Sequence, residues 1–136
     1  MKKDINLPEV ENVGVAVVHE TNEENEEVYN VYLLNTGEDK LETVLVSSKG
    51  YGENAATGEQ VKTSVLRHAL NDVDPKSFVK IEPIIEDLFG LHNEYWVSYF
   101  IGDQMYDKKF IFLAESINDQ NLTTIPLMNK KGILIT

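Results

Sequence analysis

Chemistry near neutral pH most often needs an imidazole, and the chain supplies three, His19, His68 and His92. His19 ends an apolar run ahead of an acid-rich stretch, His68 stands between Leu66 and Leu70, and His92 precedes Asn93 and Glu94. They lie too far apart for the close ligand spacing of zinc motifs. No His-Glu-x-x-His and no cysteine accompanies them, so a structural or surface role is expected for each. A serine nucleophile would want a Gly-x-Ser-x-Gly elbow between strand and helix. Ser47-Ser48-Lys49-Gly50 has neither the flanking glycines nor a helix after it.

Gly50-Tyr51-Gly52, with Gly58 beyond, fits neither phosphate-cradling glycine pattern and reads as a turn or bulge. Asp72-Val73-Asp74 begins like a calcium loop, but Pro75 follows and the required Gly and terminal Glu are missing. The glutamate-rich residues 20–27 read as a solvated hairpin loop. These motifs yield no catalytic residue, metal ligand or cofactor. What remains is a possible binding surface of Arg67, His68, Trp96 and Tyr106, the last two from an aromatic set that in a hairpin more often fills the core.

The elements that must position these residues are strands. Residues 13–19 and 28–34 are β-branched and aromatic runs too short for helices, and 41–47 alternates after the turn at 35–39. Residues 61–73 are ambiguous. Val65, Leu66, Ala69, Leu70 and Val73 suit a helical period, while the Thr, Ser and Val content favours a strand. Residues 78–85 read as a strand in which Pro83 must sit on an edge or at a bend, and 86–93 as a short helical turn or a crossing loop. The plainest signal is a hairpin of 94–101 and 104–113 about Gly102-Asp103. Its first arm has apolar residues on both faces, which suggests a central strand with Trp96 largely buried. A last strand or small hairpin covers 123–136.

Seven or eight short strands with no recurrent helical crossover predict an all-β fold, an antiparallel β-sandwich of immunoglobulin-like architecture, with a small barrel as the alternative. The Cys…Trp…Cys spacing of true immunoglobulin domains is absent. At 136 residues, 42% hydrophobic and 26% charged, the chain suits a single domain over residues 1–136 with one core.

Val44-Leu45-Val46-Ser47-Ser48-Lys49-Gly50-Tyr51-Gly52, residues 61–68, Asn93-Glu94-Tyr95-Trp96-Val97-Ser98 and Lys131-Gly132 together resemble a family of short bacterial proteins, with the likeness covering nearly the whole chain. Members often carry the label phenylalanyl-tRNA synthetase α-subunit. The resemblance brings no catalytic residue with it, because a class II synthetase core needs an ATP-binding arginine in each of two motifs and this chain has one arginine in all.

The N-terminal Met1-Lys2-Lys3 is followed by Asp4, Pro8, Glu9 and Glu11 where a signal peptide would be apolar, and no run approaches the ~20 apolar residues of a membrane span. The expectation is a cytoplasmic protein without a membrane partner, a non-enzymatic module that binds a protein partner or itself. A phenylalanyl-tRNA synthetase-related or other accessory enzyme domain is the alternative. With 12 basic against 23 acidic residues, a net charge of −11, and Arg67 as the sole arginine, no nucleic-acid partner is expected. In a mobility-shift assay the protein should leave tRNA and duplex DNA unshifted at physiological salt; salt-sensitive micromolar binding would overturn that expectation.

Overall fold

The structure, a computed structural model describing residues 7–136, contains ten strands and no α-helix among the described residues. They are β1 (Val13–Thr21), β2 (Glu27–Asn35), β3 (Leu41–Glu53), β4 (Gln60–Lys62), β5 (Leu66–Val73), β6 (Ser77–Ile84), β7 (His92–Ile101), β8 (Gln104–Phe112), β9 (Thr123–Ile125) and β10 (Lys130–Ile135). The first six residues of the segment weighed against a signal peptide lie outside the described residues. No helix is long and apolar enough to cross a membrane among the described residues.

All pairings are antiparallel, and they build two sheets. The first runs β6-β2-β1-β10-β9. In the second, β3 pairs with β7 along one edge and successively with β5 and β4 along the other, and β8 closes the far side. The sheets do not close on one another, so the sandwich holds and the barrel does not. The strand count exceeds the seven or eight expected because β4 is a strand of three residues, too few to show a period, and because residues 123–136 take the hairpin alternative, with β9 paired to β10.

Alternation decides what each strand buries. Val13, Val15 and Val17 of β1 meet Val31, Leu33, Val44, Val46, Tyr95, Val97, Tyr99, Phe110 and Phe112 in the core between the sheets. Ala16 and Val18 point the other way, yet they too are fully buried, in a second cluster with Leu34 and Ile125 under Tyr32, Met128 and Leu134. Covered on both faces from Val13 to Val18, β1 is apolar without interruption over that stretch.

Residues 66–73 are strand, paired with β3 from Leu41↔Val73 to Ser48↔Leu66. The helical spacing there is overruled by an open edge waiting for a partner, and the extended reading of Thr63 and Val65 fails, since neither lies in a strand. A bulge interrupts the ladder where Thr43 (φ 52°) and Asn71 (φ 63°) adopt left-handed conformations. Pro83 sits in β6, an edge strand, as its missing N–H requires. Gly102 turns the β7–β8 hairpin with φ 60°, and residues 86–88 form a single 3₁₀ turn.

β7 is central to its sheet, but Trp96 is 46% exposed, which corrects the expectation of burial. Tyr95, Val97 and Tyr99 take the core face, so Trp96, Ser98 and Phe100 take the other, and among the described residues no layer covers that side.

Gly132 of β10 packs against β1 so closely that a Cβ there would overlap the Val17 carbonyl oxygen and stand 3.0 Å from Ile125 Cγ1 and 3.1 Å from Val18 Cα. Gly132→Ala is therefore expected to cost ~1–3 kcal/mol in thermal or urea unfolding. Gly90→Ala, whose Cβ would meet only Glu115 Oε1 at 3.4 Å, is the control.

Candidate functional site

The uncovered face of the second sheet is organised in four rows, read across the strands. One row is Arg67, Ser47, Trp96 and Lys109, and the next is Ala69, Leu45, Ser98 and Asp107. Lys49, Glu94 and Ile111 flank the first row, while Glu42, Phe100 and Met105 flank the second. Leu45, Trp96, Phe100 and Met105 are exposed, and they are neighbours. Between them the short side chains Ser47, Ala69 and Ser98 leave a hollow of about 470 Å³, with Arg67 and Asp107 on opposite sides. Lys109 Nζ lies 4.8 Å from the centre of the Trp96 ring, a cation–π contact, and Lys49 Nζ is 3.9 Å from a Glu94 carboxylate that is nearly buried. Such a surface can bury apolar groups and orient them by charge at its rim.

Of the four residues proposed as a binding surface from sequence, this face brings together Arg67 and Trp96. His68 and Tyr106 lie elsewhere. Adjacent residues of a strand point to opposite faces, and the His68 imidazole turns inward to Glu82, although the residue also adjoins the hollow. Tyr106 stacks on Tyr99 at 5.2 Å, 8° from parallel, and packs against the core. The Tyr99 hydroxyl is the one buried polar side-chain atom without a partner among the described residues. Leu45, Met105 and Asp107 carry no signal of residue type in the sequence, and Phe100 enters there only as one of the aromatic set of the hairpin. The available signal was that 41–47 and 94–101 both carry apolar residues on the two faces of one sheet.

The inward His68 joins a second constellation. Glu82 of β6 reaches across the core to the other sheet, where its Oε1 accepts from Ser48 Oγ at 2.9 Å and lies 2.7 Å from His68 Nε2. Its Oε2 accepts from the Tyr95 hydroxyl at 3.0 Å. A cavity of about 230 Å³ adjoins the group, lined by Thr63, Leu66 and Leu88 among others. Burial, the neighbouring Glu82 charge and the hydrogen bond push the Tyr95 hydroxyl far above its usual range, holding it as a donor. Ser48 donates to the carboxylate and not to His68, so the nucleophile–base contact that acyl-transfer chemistry needs is not made.

On the outer face of the first sheet, Glu20 accepts from Lys130 Nζ and the Tyr32 hydroxyl, each at 2.6 Å, and from Asn30 Nδ2 at 2.7 Å. Burial raises this carboxyl's pKa, but the hydrogen bonds from Lys130, Tyr32 and Asn30 together outweigh it and leave it below the ordinary value. The solvated-loop reading of 20–27 thus holds for Asn22–Glu26 and fails for Glu20, which belongs to β1. Among the described residues no group of three or more His, Asp or Glu side chains could hold a metal ion.

Four of the six tyrosines, Tyr29, Tyr32, Tyr95 and Tyr99, have raised pKa values, with burial the first cause in each, and Tyr99 is pushed up to about 12. A folded pKa above the unfolded value of ~10 means stability that is complete below that pH and lost as pH rises through the folded pKa. Tyrosinate absorbance should accordingly show Tyr29, Tyr32, Tyr95 and Tyr99 ionising together with loss of the β-sheet circular dichroism signal as pH rises toward and beyond about 12. Ionisation of these four before any unfolding would contradict the burial described.

No protein-family model, no curated protein and no solved structure matches this chain.

Proposed function

We propose that the chain is a non-enzymatic, cytoplasmic interaction module that docks a protein partner or a second copy of itself on the outer face of the β5-β3-β7-β8 sheet. One observation carries this reading. Leu45, Trp96, Phe100 and Met105 are exposed side by side on a molecule whose net charge is −11. Single exposed apolar residues are normal on protein surfaces, whereas a contiguous group rimmed by charge marks a contact surface. Trp96 and Arg67 are also the residue types that most often anchor interfaces. Neither a nucleic acid, a membrane nor a cofactor enters the reading.

The alternative, a synthetase-related or other accessory enzyme domain, would rest on Ser48, His68, Glu82 and Tyr95 beside their cavity. All three donors there converge on one carboxylate, the pattern of a satisfied network between layers.

Because Trp96 is half exposed, Trp96→Ala should leave the melting temperature within roughly 3 °C of the wild type. The same variant should lose its partner by about thirtyfold in affinity or more, as an interface anchor does. Affinity capture on immobilised wild type and variant, with thermal melts of both, tests the pair of outcomes. An unchanged set of captured proteins, or a melting point lowered as for a core residue, would sink the proposal.

A further inference from the structure

The four rows of the docking face are complementary to themselves, and we infer that the occupant is a second copy of this chain, related by a twofold axis that lies across the strands between the Trp96 row and the Leu45 row. This rests on reading that face as a docking surface. A twofold axis so placed lays each row on the other: Trp96 falls over Ser98 of the second copy, Leu45 over Ser47, and Lys109 over Asp107. Large side chains thus meet small ones, so the indole enters the hollow that the serines leave.

The flanking rows exchange in the same way. Lys49 comes to Glu42 and Ile111 to Met105, while Phe100 meets Glu94, whose carboxylate is already shielded beside Lys49. The other twofold axis that keeps the strands of the two faces aligned runs along them. It would set Arg67 against Lys109, a like-charge pair, and Asp107 against Ala69. The axis across the strands is therefore the one that charge selects.

Charge also accounts for association despite −11 per chain. Within the four rows Arg67, Lys49 and Lys109 stand against Asp107, Glu42 and Glu94, so the face is neutral, and repulsion from the rest of the surface is screened beyond ~8 Å at physiological ionic strength. Four strands and four rows give a face roughly 20 Å on a side, about 800 Å² over two copies, the size of a weak and transient contact and not of a permanent one. The dimer should accordingly form in the micromolar range.

Sedimentation equilibrium of the wild type from about 10 µM to about 1 mM should show a monomer–dimer transition within that span. Asp107→Lys and Lys109→Asp should each weaken the dimer about tenfold or more, since each puts like charges opposite one another. The double variant, in which the pair is reversed within every chain, should return to within about threefold of wild type, as only a twofold contact between positions 107 and 109 allows. Both residues are on the outer face, and circular dichroism of each variant checks that the fold is intact. A wild type that stays monomeric throughout, single variants that dimerise like wild type, or a double variant with no recovery would each overturn the inference. If the wild type is monomeric and Trp96→Ala still loses a captured protein, self-pairing alone fails; if Trp96→Ala also keeps its partners, the docking face fails with it.

Discussion

What β3, β5 and β7 present on the outside of the second sheet is set by one carboxylate on its inside. Glu82 comes from the edge strand of the first sheet and accepts from Ser48, His68 and Tyr95, one residue from each of three strands of the second. Bonds to a charged acceptor are worth ~1.5–3 kcal/mol each, and removing the acceptor would leave the buried Tyr95 hydroxyl unmatched. The three donors fix the pleat phase of β3, β5 and β7. The adjoining residues Ser47, Arg67 and Trp96 must then project outward in one row. A slip of one residue in any of these strands would move its member of that row into the core and break a bond to Glu82.

The two sheets differ in how their outer faces are finished. On the first, the corner between β9 and β10 brings Ile125 and Met128 over Ala16, Val18 and Leu34, and the Glu20 network with Lys130, Tyr32 and Asn30 seals the adjoining stretch. Asn35 does comparable work at one end, donating to the Asp39 and Asp74 carbonyls and accepting from the Gly37 N–H, so that the β2–β3 loop and the β5–β6 turn are held together. Among the described residues the second sheet has no such corner, and its face is finished by side chains alone. This asymmetry between otherwise similar layers is what leaves Trp96 and Leu45 available.

The sequence made the fold legible because hydrophobic alternation and turn chemistry are local. The Gly102-Asp103 hairpin, the edge position of Pro83 and the antiparallel sandwich could all be read in that way. What could not be read was which layer lies over which face. Apolar residues on both sides of 13–19 and of 94–101 look alike in sequence, yet β1 is covered twice and β7 once, because the cover over β1 arrives from residues 123–135, more than a hundred positions away. Glu20 was misread for the same reason, its partner Lys130 being remote in sequence. Arg67 and Trp96 could be picked out by residue type. Their companions Leu45, Ser98 and Asp107 become visible only through the cross-strand register.

Pro83 has a consequence beyond its own strand. An open sheet border exposes unpaired amide and carbonyl groups, and two such borders meeting side by side can propagate without end into fibres. In β6 the proline withholds an N–H from any incoming chain, and Lys80 and Glu82 interrupt the rest of the strand with charge. Contact through borders is thereby discouraged while contact through faces is left open, and face contact about a twofold axis closes on itself at two copies. The border chemistry of one strand thus steers the molecule toward finite assemblies rather than filaments.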